Sequence, residues 1–317
     1  MATILDSDLL ICSTCGTQFS IPSSHSQLLP SCAICDDPRQ YVPATGQSWT
    51  TLRALRLSTN PSYKNIFTPD PIHKEALISI HTEPKQAIGQ RAYLCRTKTS
   101  SGALFNVLWD CITFIDDDTI REINELGGVH AIVISHPHYY TTHLIWAEVF
   151  DCPVYLSSED DEWVFTHGER QVFFPEKELS LSLSLISGFG TGDGDLVIIK
   201  TGGHFQGSTV LWWKSLKTLL IADTIAVIPS ARYWVDRLPG TASFTFMWSY
   251  PNMIPLSAND VHGIWKAIAH AEFDITRGAF MGMDTDTDSK KRLLDSAKIF
   301  VKAMGYLDHA IHQEECL

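Results

Sequence analysis

The sequence has no apolar run of the length that a membrane span requires, which is roughly 18 to 20 residues. It also lacks a basic segment followed by an apolar one at its start, so MATILDSDLLICSTC does not resemble a signal peptide. Neither an internal repeat nor a low-complexity tract is visible. We therefore expect no membrane contact and a cytoplasmic or nucleocytoplasmic location, where thiols stay reduced.

Positive charge is scarce. Lysine and arginine together number 24 against 36 aspartates and glutamates, which gives a formal net charge of −12 at pH 7. Binding to a nucleic-acid backbone depends on clustered basic residues, so this balance disfavours nucleic acid as a partner. A small-molecule substrate is the better expectation. The length of 317 residues fits one large domain and one small one.

The eight cysteines are unevenly placed. Two tight pairs lie near the start, in CSTC and CAIC, and their spacing is typical of a four-cysteine zinc site. Two residues between paired thiolates let both face one ion, and two such turns complete a tetrahedron. Gly16 supplies backbone freedom for the first turn. The predicted zinc ligands are Cys12, Cys15, Cys32 and Cys35.

The alternatives for these pairs are unrelated thiols or redox-active pairs, but no βαβ pattern surrounds them. A site closed by four thiolates serves folding or protein contact and leaves no position open for a substrate. We expect residues 1–55 to form a zinc-ribbon-like module with its connector. The single cysteines Cys95, Cys111, Cys152 and Cys316 are expected to be inert.

Residues 56–317 show short β-like segments separated by turns, with a few helices inserted. The segment 116–129 is predicted to be a helix, because aspartates cap its start and Gly127 and Gly128 follow it. LSLSLSLISGF, at 179–189, alternates like a half-exposed strand. Strands before, between and after helices predict an α+β fold with two sheets whose outer faces the helices cover.

Four polar residues follow buried strands in this domain. His136 and His138 come directly after HAIVIS, and His204 follows DLVIIK through Gly202 and Gly203. Asp223 ends TLLIAD, whose apolar setting requires a partner for the carboxylate. Neutral imidazole is the commonest nitrogen ligand for zinc. Each residue alone is more often structural, but the set predicts a metal site formed by His136, His138, His204 and Asp223.

The order and spacing of these motifs resemble the metallo-β-lactamase superfamily. SHPHYYTTH stands where that family has its HxHxDH loop, TGGHFQGS where it has a later histidine, and LLIADT where an aspartate closes a strand. The resemblance covers about residue 60 to the end and implies an αββα sandwich. It also implies that His136, His138 and His204 hold one metal, with Asp223 beside it as the family's bridging aspartate.

The departures from the family pattern concern the second metal. Tyr140 and Thr141 stand where the family has an aspartate and a histidine, and RGAFMGMD offers no late histidine. A single metal is therefore expected. His143 is an alternative second-site ligand, but its position two residues late makes it more typical of a helix start.

The expected function is hydrolysis of a small carbonyl substrate, such as an ester, thioester, lactone or lactam, by metal-activated water. Asp223 and Tyr140 are the predicted catalytic residues, and Tyr139, Trp248 and Tyr250 the predicted substrate contacts. For the tyrosines and Trp248, ordinary packing is the alternative. The insertion at residues 158–179 does not identify a substrate.

Two alternatives stay open at this point. Two histidines and a carboxylate also describe a mononuclear iron site for oxygen chemistry, and some members of the family resembled here oxidise persulfides on iron. The catalytic metal is thus zinc or iron. The third alternative is a non-catalytic metal-binding protein of the same fold. Family analogy alone does not choose among them.

Overall fold

The computed structural model of the protein describes residues 2–5, 7–99, 102–186 and 194–316. The chain forms two compact units, Met1–Phe174 with Ile186–Phe189, and Pro175–Leu185 with Gly190–Leu317. Within the described residues, no helix combines the length and the apolar character needed to cross a membrane. The division into residues 1–55 and 56–317 stays a prediction.

The first unit begins with a small sheet. Its strands are β1 (Leu9–Cys12), β2 (Gln18–Pro22) and β3 (Trp49–Thr50), in the antiparallel order β2-β1-β3. Three short helices accompany it, α1 (Ala2–Leu5), α2 (Ala33–Asp36) and α3 (Leu52–Leu57). The buried side chains of the four paired cysteines, Phe19 and Ile34 form its core.

A seven-stranded sheet makes up most of this unit. Its strands are β4 (Lys64–Pro69), β5 (Leu77–Glu83), β6 (Arg91–Lys98), β7 (Leu104–Trp109), β8 (Ala131–Val133), β9 (Val154–Ser157) and β10 (Gln171–Phe174). They lie in reverse chain order from β10 to β4. Strands β4 to β7 pair antiparallel, whereas β7 to β10 pair parallel. The carboxyl ends of β7, β8 and β9 therefore share one edge of the sheet.

Helices α4 (Asp117–Glu125) and α5 (His143–Val149) connect the parallel strands. The predicted helix at 116–129 is thus present, but its regular part is shorter. Asp116 caps it by accepting a 2.8 Å hydrogen bond from the Thr119 amide. Gly127 and Gly128 both take positive φ angles where the helix ends.

The second unit contains a six-stranded sheet. Its strands are β11 (Glu178–Leu181), β12 (Leu196–Lys200), β13 (Thr209–Trp213), β14 (Thr218–Leu220), β19 (Ile275–Arg277) and β20 (Asp284–Thr285), in that spatial order. Two ribbons pair β15 (Ala226–Val227) with β16 (Phe244–Thr245), and β17 (Met247–Ser249) with β18 (Ile254–Pro255). The helices are α6 (Leu183–Ile186), α7 (Ala258–Ile268) and α8 (Ser289–Ala303).

Helices α7 and α8 bury apolar side chains at helical spacing in the core of the second unit. Val261, Trp265 and Ile268 of α7 meet residues of α8 and of the sheet in one hydrophobic cluster. Burial of such side chains stabilises the fold by about 1.5–3 kcal/mol each. This core supports β12 and β14, the strands that lead to His204 and Asp223.

The strand predicted over 179–189 was wrong beyond its first residues. Strand β11 ends at Leu181, and Leu183–Ile186 form helix α6. The Ser182 hydroxyl accepts a hydrogen bond from the Leu185 amide, so a serine of the alternating pattern acts as a helix cap. Residues 187–189 of this prediction lie outside the described residues.

Candidate metal centre

Each cysteine pair lies in its own backbone turn, and both turns are closed by a hydrogen bond of the same kind. The Gly16 amide donates to the Cys12 carbonyl at 2.8 Å, and the Asp36 amide donates to the Cys32 carbonyl at 2.9 Å. Gly16 has a φ of 82°, and a Cβ there would lie 2.1 Å from Oγ1 of Thr113. Only glycine fits this turn, as its position after the first pair predicts.

The two turns bring the four thiols together. Sγ of Cys12 lies 3.6 Å from Sγ of Cys35, and Sγ of Cys15 lies 3.6 Å from Sγ of Cys32. All four sulfurs lie within 4.8 Å of one another and are buried. Hydrogen bonds from the other three thiols lower the pKa of Cys12, which favours its thiolate. This geometry suits one tetrahedral ion held by four thiolates.

The loop after β8 carries the first two histidines. His136 precedes a short 3-10 turn, Pro137–Tyr139, and both His136 and His138 are almost completely buried. Asp110, in a left-handed conformation with a φ of 62°, accepts a 2.7 Å hydrogen bond from the Ser135 amide. The Ser135 hydroxyl lies 2.8 Å from Nδ1 of His136. The loop is therefore fixed to the end of β7.

Tyrosines 139 and 140 pack inside this loop. The ring of Tyr139 lies 4.5 Å from that of His136, centroid to centroid, and is fully buried. The Tyr140 hydroxyl lies 3.5 Å from the carbonyl oxygen of Asp160. Burial raises the pKa of Tyr140, so its phenol stays neutral. These contacts are compatible with the packing alternative, and the predicted catalytic role of Tyr140 stays a prediction.

His204 and Asp223 lie at the ends of neighbouring segments of the second unit. Gly202 and Gly203 turn the chain after β12 with φ angles of 62° and 95°. Nδ1 of His204 lies 3.0 Å from the carbonyl oxygen of Met247 and donates its proton there. Nε2 of His204 lies 3.9 Å from Oδ2 of Asp223, with both side chains buried. Nδ1 of His204 therefore bonds to the backbone, and Nε2 faces the Asp223 carboxylate.

One ligand atom from each of His136, His138, His204 and Asp223 lies within 4.8 Å of the others, and all four residues are buried. Three imidazoles and a carboxylate are ligands of zinc and of non-haem iron. The hydrogen bond that Nδ1 of His204 donates to the Met247 carbonyl fixes the tautomer of this ring, as is usual for histidines that bind a metal through the other nitrogen. The donor set therefore fits a metal ion.

His143 does not belong to this group. It begins helix α5, where its Nδ1 lies 2.7 Å from the Tyr140 carbonyl and its Nε2 lies 2.7 Å from Nε2 of Gln171. Burial lowers the pKa of His143 to about 4. Both ring nitrogens thus have hydrogen-bond partners, which leaves none for a second ion. This placement favours the helix-start alternative.

The predicted substrate contacts Trp248 and Tyr250 lie in and beside strand β17. Trp248 is partly buried and packs against the large hydrophobic cluster of the second unit. The Tyr250 ring lies 6.0 Å from that of His204. Their roles toward a substrate stay predictions.

The sequence analysis did not identify three groups that contact the candidate metal ligands or their loop: Asp110, the Met247 carbonyl and Gln40. Asp110 follows an apolar strand in the same way as Asp223, so the sequence does contain a signal for its position near the site. Gln40 lies 98 positions before His138, and its Nε2 is 3.3 Å from Nδ1 of that histidine. Nothing in the sequence near Gln40 indicates this contact.

Comparison with known proteins agrees with the motifs. The model of the metallo-beta-lactamase superfamily matches residues 102–251. The uncharacterized protein YmaE of Bacillus subtilis (strain 168) is 38% identical over 301 residues, which cover 93% of this chain and 96% of that protein.

Two solved structures share the fold. A structure of TMB-1 aligns with a TM-score of 0.50 at 13% identity, and one of VMB-1 with a TM-score of 0.50 at 11% identity. Each alignment covers 76% of this chain and 98% of the other. The predicted mixed fold with a four-cysteine module at its start is thus confirmed. The chain belongs to the metallo-β-lactamase superfamily.

Proposed function

We propose that the protein is a metal-dependent hydrolase that acts on a small carbonyl substrate, an ester, thioester, lactone or lactam, with one catalytic ion. The observation that carries this proposal is the buried group of three histidines and one aspartate whose ligand atoms lie within 4.8 Å of one another. His136, His138 and His204 would hold the ion, with Asp223 beside them. Zinc is the proposed metal of this site and of the four-cysteine site.

A zinc ion held by neutral imidazoles supplies a Lewis acid that lowers the pKa of water from about 15.7 to about 7. The protein's part is to keep the histidines neutral and oriented. Nδ1 of His204 donates to the Met247 carbonyl, and Nδ1 of His136 lies beside the Ser135 hydroxyl. The carbonyl partner fixes the tautomer of His204, and the Ser135 hydroxyl orients the ring of His136.

Asp223 is the proposed proton acceptor and the residue that orients water. Its carboxylate is buried after an apolar strand, where an unpaired charge is costly. Nε2 of His204 lies 3.9 Å from Oδ2 of this carboxylate. Tyr139, Trp248 and Tyr250 are proposed to contact the substrate, and Tyr140 to stabilise the developing oxyanion.

Phosphoester substrates are less well supported. Enzymes that cleave them commonly clamp the attacking and leaving oxygens between two metals. In this chain Tyr140 and Thr141 occupy positions that would supply second-metal ligands, and both ring nitrogens of His143 are engaged. The net charge of −12 also disfavours polyanions.

The test is a hydrolysis panel with the zinc-loaded full chain: a chromogenic ester, an aryl thioester, a lactone, a β-lactam and a chromogenic phosphodiester. We expect turnover of at least one carbonyl substrate, and its loss by at least about 100-fold in Asp223→Asn and His204→Ala. His25→Ala, at an exposed histidine, is the matched control and should keep the wild-type rate. Turnover of the phosphodiester alone, or unchanged rates in both site variants, would contradict the proposal.

A further inference from the structure

The loop that carries the first two histidines runs from Ser135 to Thr142, and one segment holds both of its ends. This segment, from Asp110 to Thr113, follows β7, and we call it the brace. At its start, Asp110 accepts a 2.7 Å hydrogen bond from the Ser135 amide. At its end, the Thr113 carbonyl accepts a 2.9 Å hydrogen bond from the Thr142 hydroxyl. All four of these residues are buried, so the position of the brace determines where the histidine loop lies.

The first cysteine turn, residues 12–18, packs against the end of the brace. The Thr113 hydroxyl donates to the Gly16 carbonyl at 3.3 Å. Gly16 has a φ of 82°, and a Cβ at this position would overlap Oγ1 of Thr113. The turn and the brace are therefore in direct contact, at a point where the turn has no room for a side chain.

The same turn also contacts the histidine loop itself. The Gln18 amide donates to the Thr141 carbonyl at 3.1 Å. Thr141 has a φ of 38°, which residues with a branched side chain rarely adopt and which persists only where surrounding contacts fix it. The Gln18 carbonyl in turn accepts a 2.9 Å hydrogen bond from the Thr166 hydroxyl. The cysteine module thus supports an unusual backbone conformation near the end of the histidine loop.

The cysteines determine the shape of the turn that makes these contacts. The Cys12 amide donates to the Thr17 carbonyl at 2.9 Å, and the Gly16 amide donates to the Cys12 carbonyl at 2.8 Å. Cysteines are four of the six buried residues in the core of the module. A core of this kind buries little apolar surface, so an ion on the four thiolates would supply much of its stability. Loss of that ion would loosen the turn.

We propose that the four-cysteine module positions the histidine loop, so that an ion on the four thiolates strengthens metal binding by His136 and His138. Gly16 and Thr113 are the positioning residues, because they form the contact between the cysteine turn and the brace. The inference rests on the proposed ions at both sites. Two sites that are coupled in this way strengthen each other's binding by the same factor.

The inference is tested by the zinc affinity of the histidine site, measured without any substrate. Full-length wild type and variants are titrated with a chromophoric chelator, and the total zinc of each is counted by plasma mass spectrometry. Gly16→Ala drives a methyl group into Thr113 and leaves all four thiolates in place. Gly46→Ala is the matched control, because Gly46 belongs to the same module, has a φ of 87°, and a Cβ there would meet no atom of the described residues within 4 Å.

We expect Gly16→Ala to weaken zinc binding at the histidine site by about 10-fold, within the usual range of coupling between two sites. Gly46→Ala should bind zinc there as wild type does. The double variant Gly16→Ala/Thr113→Ala removes the overlapping hydroxyl and keeps the Thr113 carbonyl that Thr142 needs. Its affinity should return to within about 3-fold of wild type, since substitutions in direct contact are not additive.

Two further variants test the contact and the cysteine ion separately. Thr113→Val keeps the shape of the side chain and removes only its hydrogen bond to Gly16, so it should weaken the histidine site by about 2- to 5-fold. Cys32→Ser removes one thiolate of the second pair, far along the chain from the turn. It should lose the zinc of the cysteine site and weaken the histidine site by about 10-fold or more.

Wild-type affinity at the histidines in Gly16→Ala or in Cys32→Ser would overturn the inference, as would an equal loss in Gly46→Ala. If either of the first two variants does not fold, Thr113→Val decides, and an unchanged affinity there overturns it. A wild type without zinc at the four cysteines would overturn this inference alone. A wild type without zinc at the histidines would overturn the proposed function as well. A wild type that binds zinc there and hydrolyses no carbonyl substrate would overturn the proposed function only.

Discussion

The hydroxyl of Tyr250 donates a 2.9 Å hydrogen bond to the main-chain carbonyl oxygen of Asp223. Burial raises the pKa of Tyr250, and the nearby Asp223 carboxylate raises it further. The phenol therefore stays protonated and remains a donor at neutral pH. Through this bond one predicted substrate contact holds the backbone of a candidate metal ligand.

Replacing Tyr250 by phenylalanine should remove this bond and leave the packing of the ring intact. We expect the free energy of unfolding to fall by about 1 kcal/mol, because a carbonyl oxygen loses its donor. Zinc content should not change, since the Asp223 carboxylate is retained. Urea unfolding and metal analysis measure both quantities.

Tyr233→Phe, at a tyrosine that is 66% exposed, is the control and should have the stability of wild type. Equal stability of the two variants would contradict the structural role of the Tyr250 hydroxyl. A loss of zinc in Tyr250→Phe would show that the bond supports the metal site itself.

The site residues that sequence could predict share one property: each follows a strong local pattern. The candidate ligands of the second site follow buried strands: His136, His138, His204 and Asp223. The cysteine pairs have the spacing that is typical of a four-cysteine zinc site. Both groups are brought together in the structure. Local pattern was sufficient because strand ends and tight turns fix the direction of the next side chains.

The insertion at 158–179 and Gln40 could not be interpreted from sequence, because their partners are distant in the chain. Phe165 of the insertion stacks on Phe19 of the cysteine module with a centroid distance of 4.9 Å. The Ser20 amide donates to the Phe165 carbonyl at 3.2 Å. A single sequence contains no signal for pairing between residues so far apart, so these contacts could not be predicted.

Cysteine alkylation tests the assignment of all eight thiols. Burial raises the pKa of Cys95 and of Cys111, and raises that of Cys152 to about 12. Only Cys316 is exposed among the described cysteines. Because the thiolate is the reactive form, native zinc-loaded protein should take one iodoacetamide adduct, at Cys316.

A strong chelator should release the zinc of the paired cysteines and raise the number of adducts to five, whereas denaturation should raise it to eight. Intact-mass and peptide mass spectrometry count and locate the adducts. The variant Cys316→Ser is the control and should take none in the native state. Rapid labelling of the paired cysteines before chelation would contradict a metal-bound four-cysteine site.

His143 should make stability depend on pH. Burial lowers its pKa to about 4 in the folded protein, against an ordinary value near 6.5. The unfolded chain therefore binds more protons between these values, so stability is full above the ordinary pKa and is lost as pH falls toward the lowered one. The expected loss from this residue is about 2 kcal/mol between about pH 7 and about pH 5.

The variant His143→Phe removes the titrating ring and leaves the Tyr140 carbonyl and the Gln171 amide without this partner. It should be less stable than wild type at neutral pH by about 1–3 kcal/mol. The difference between the two proteins should shrink as pH falls, because only wild type must protonate His143. Urea unfolding at several pH values measures this difference, and a constant gap would contradict the buried neutral histidine.

The number and identity of bound metals separate the remaining alternatives for the histidine site. Protein purified without added metal should contain about two zinc ions per chain, one at each group of ligands. His204→Ala should lose the ion of the histidine site and keep that of the cysteines. Plasma mass spectrometry on both proteins, with His25→Ala as the control, gives these counts.

Each departure from this result has its own meaning. One zinc and one iron per chain would contradict a zinc hydrolase and support oxygen chemistry at a mononuclear iron site. Three ions per chain would contradict the single-ion assignment, in which Tyr140 and Thr141 stand at the second-site positions, and would make phosphoesters candidate substrates. If His204→Ala unfolded and wild-type protein turned over no substrate, the four ligands would serve the fold. That outcome would favour a non-catalytic member of the superfamily.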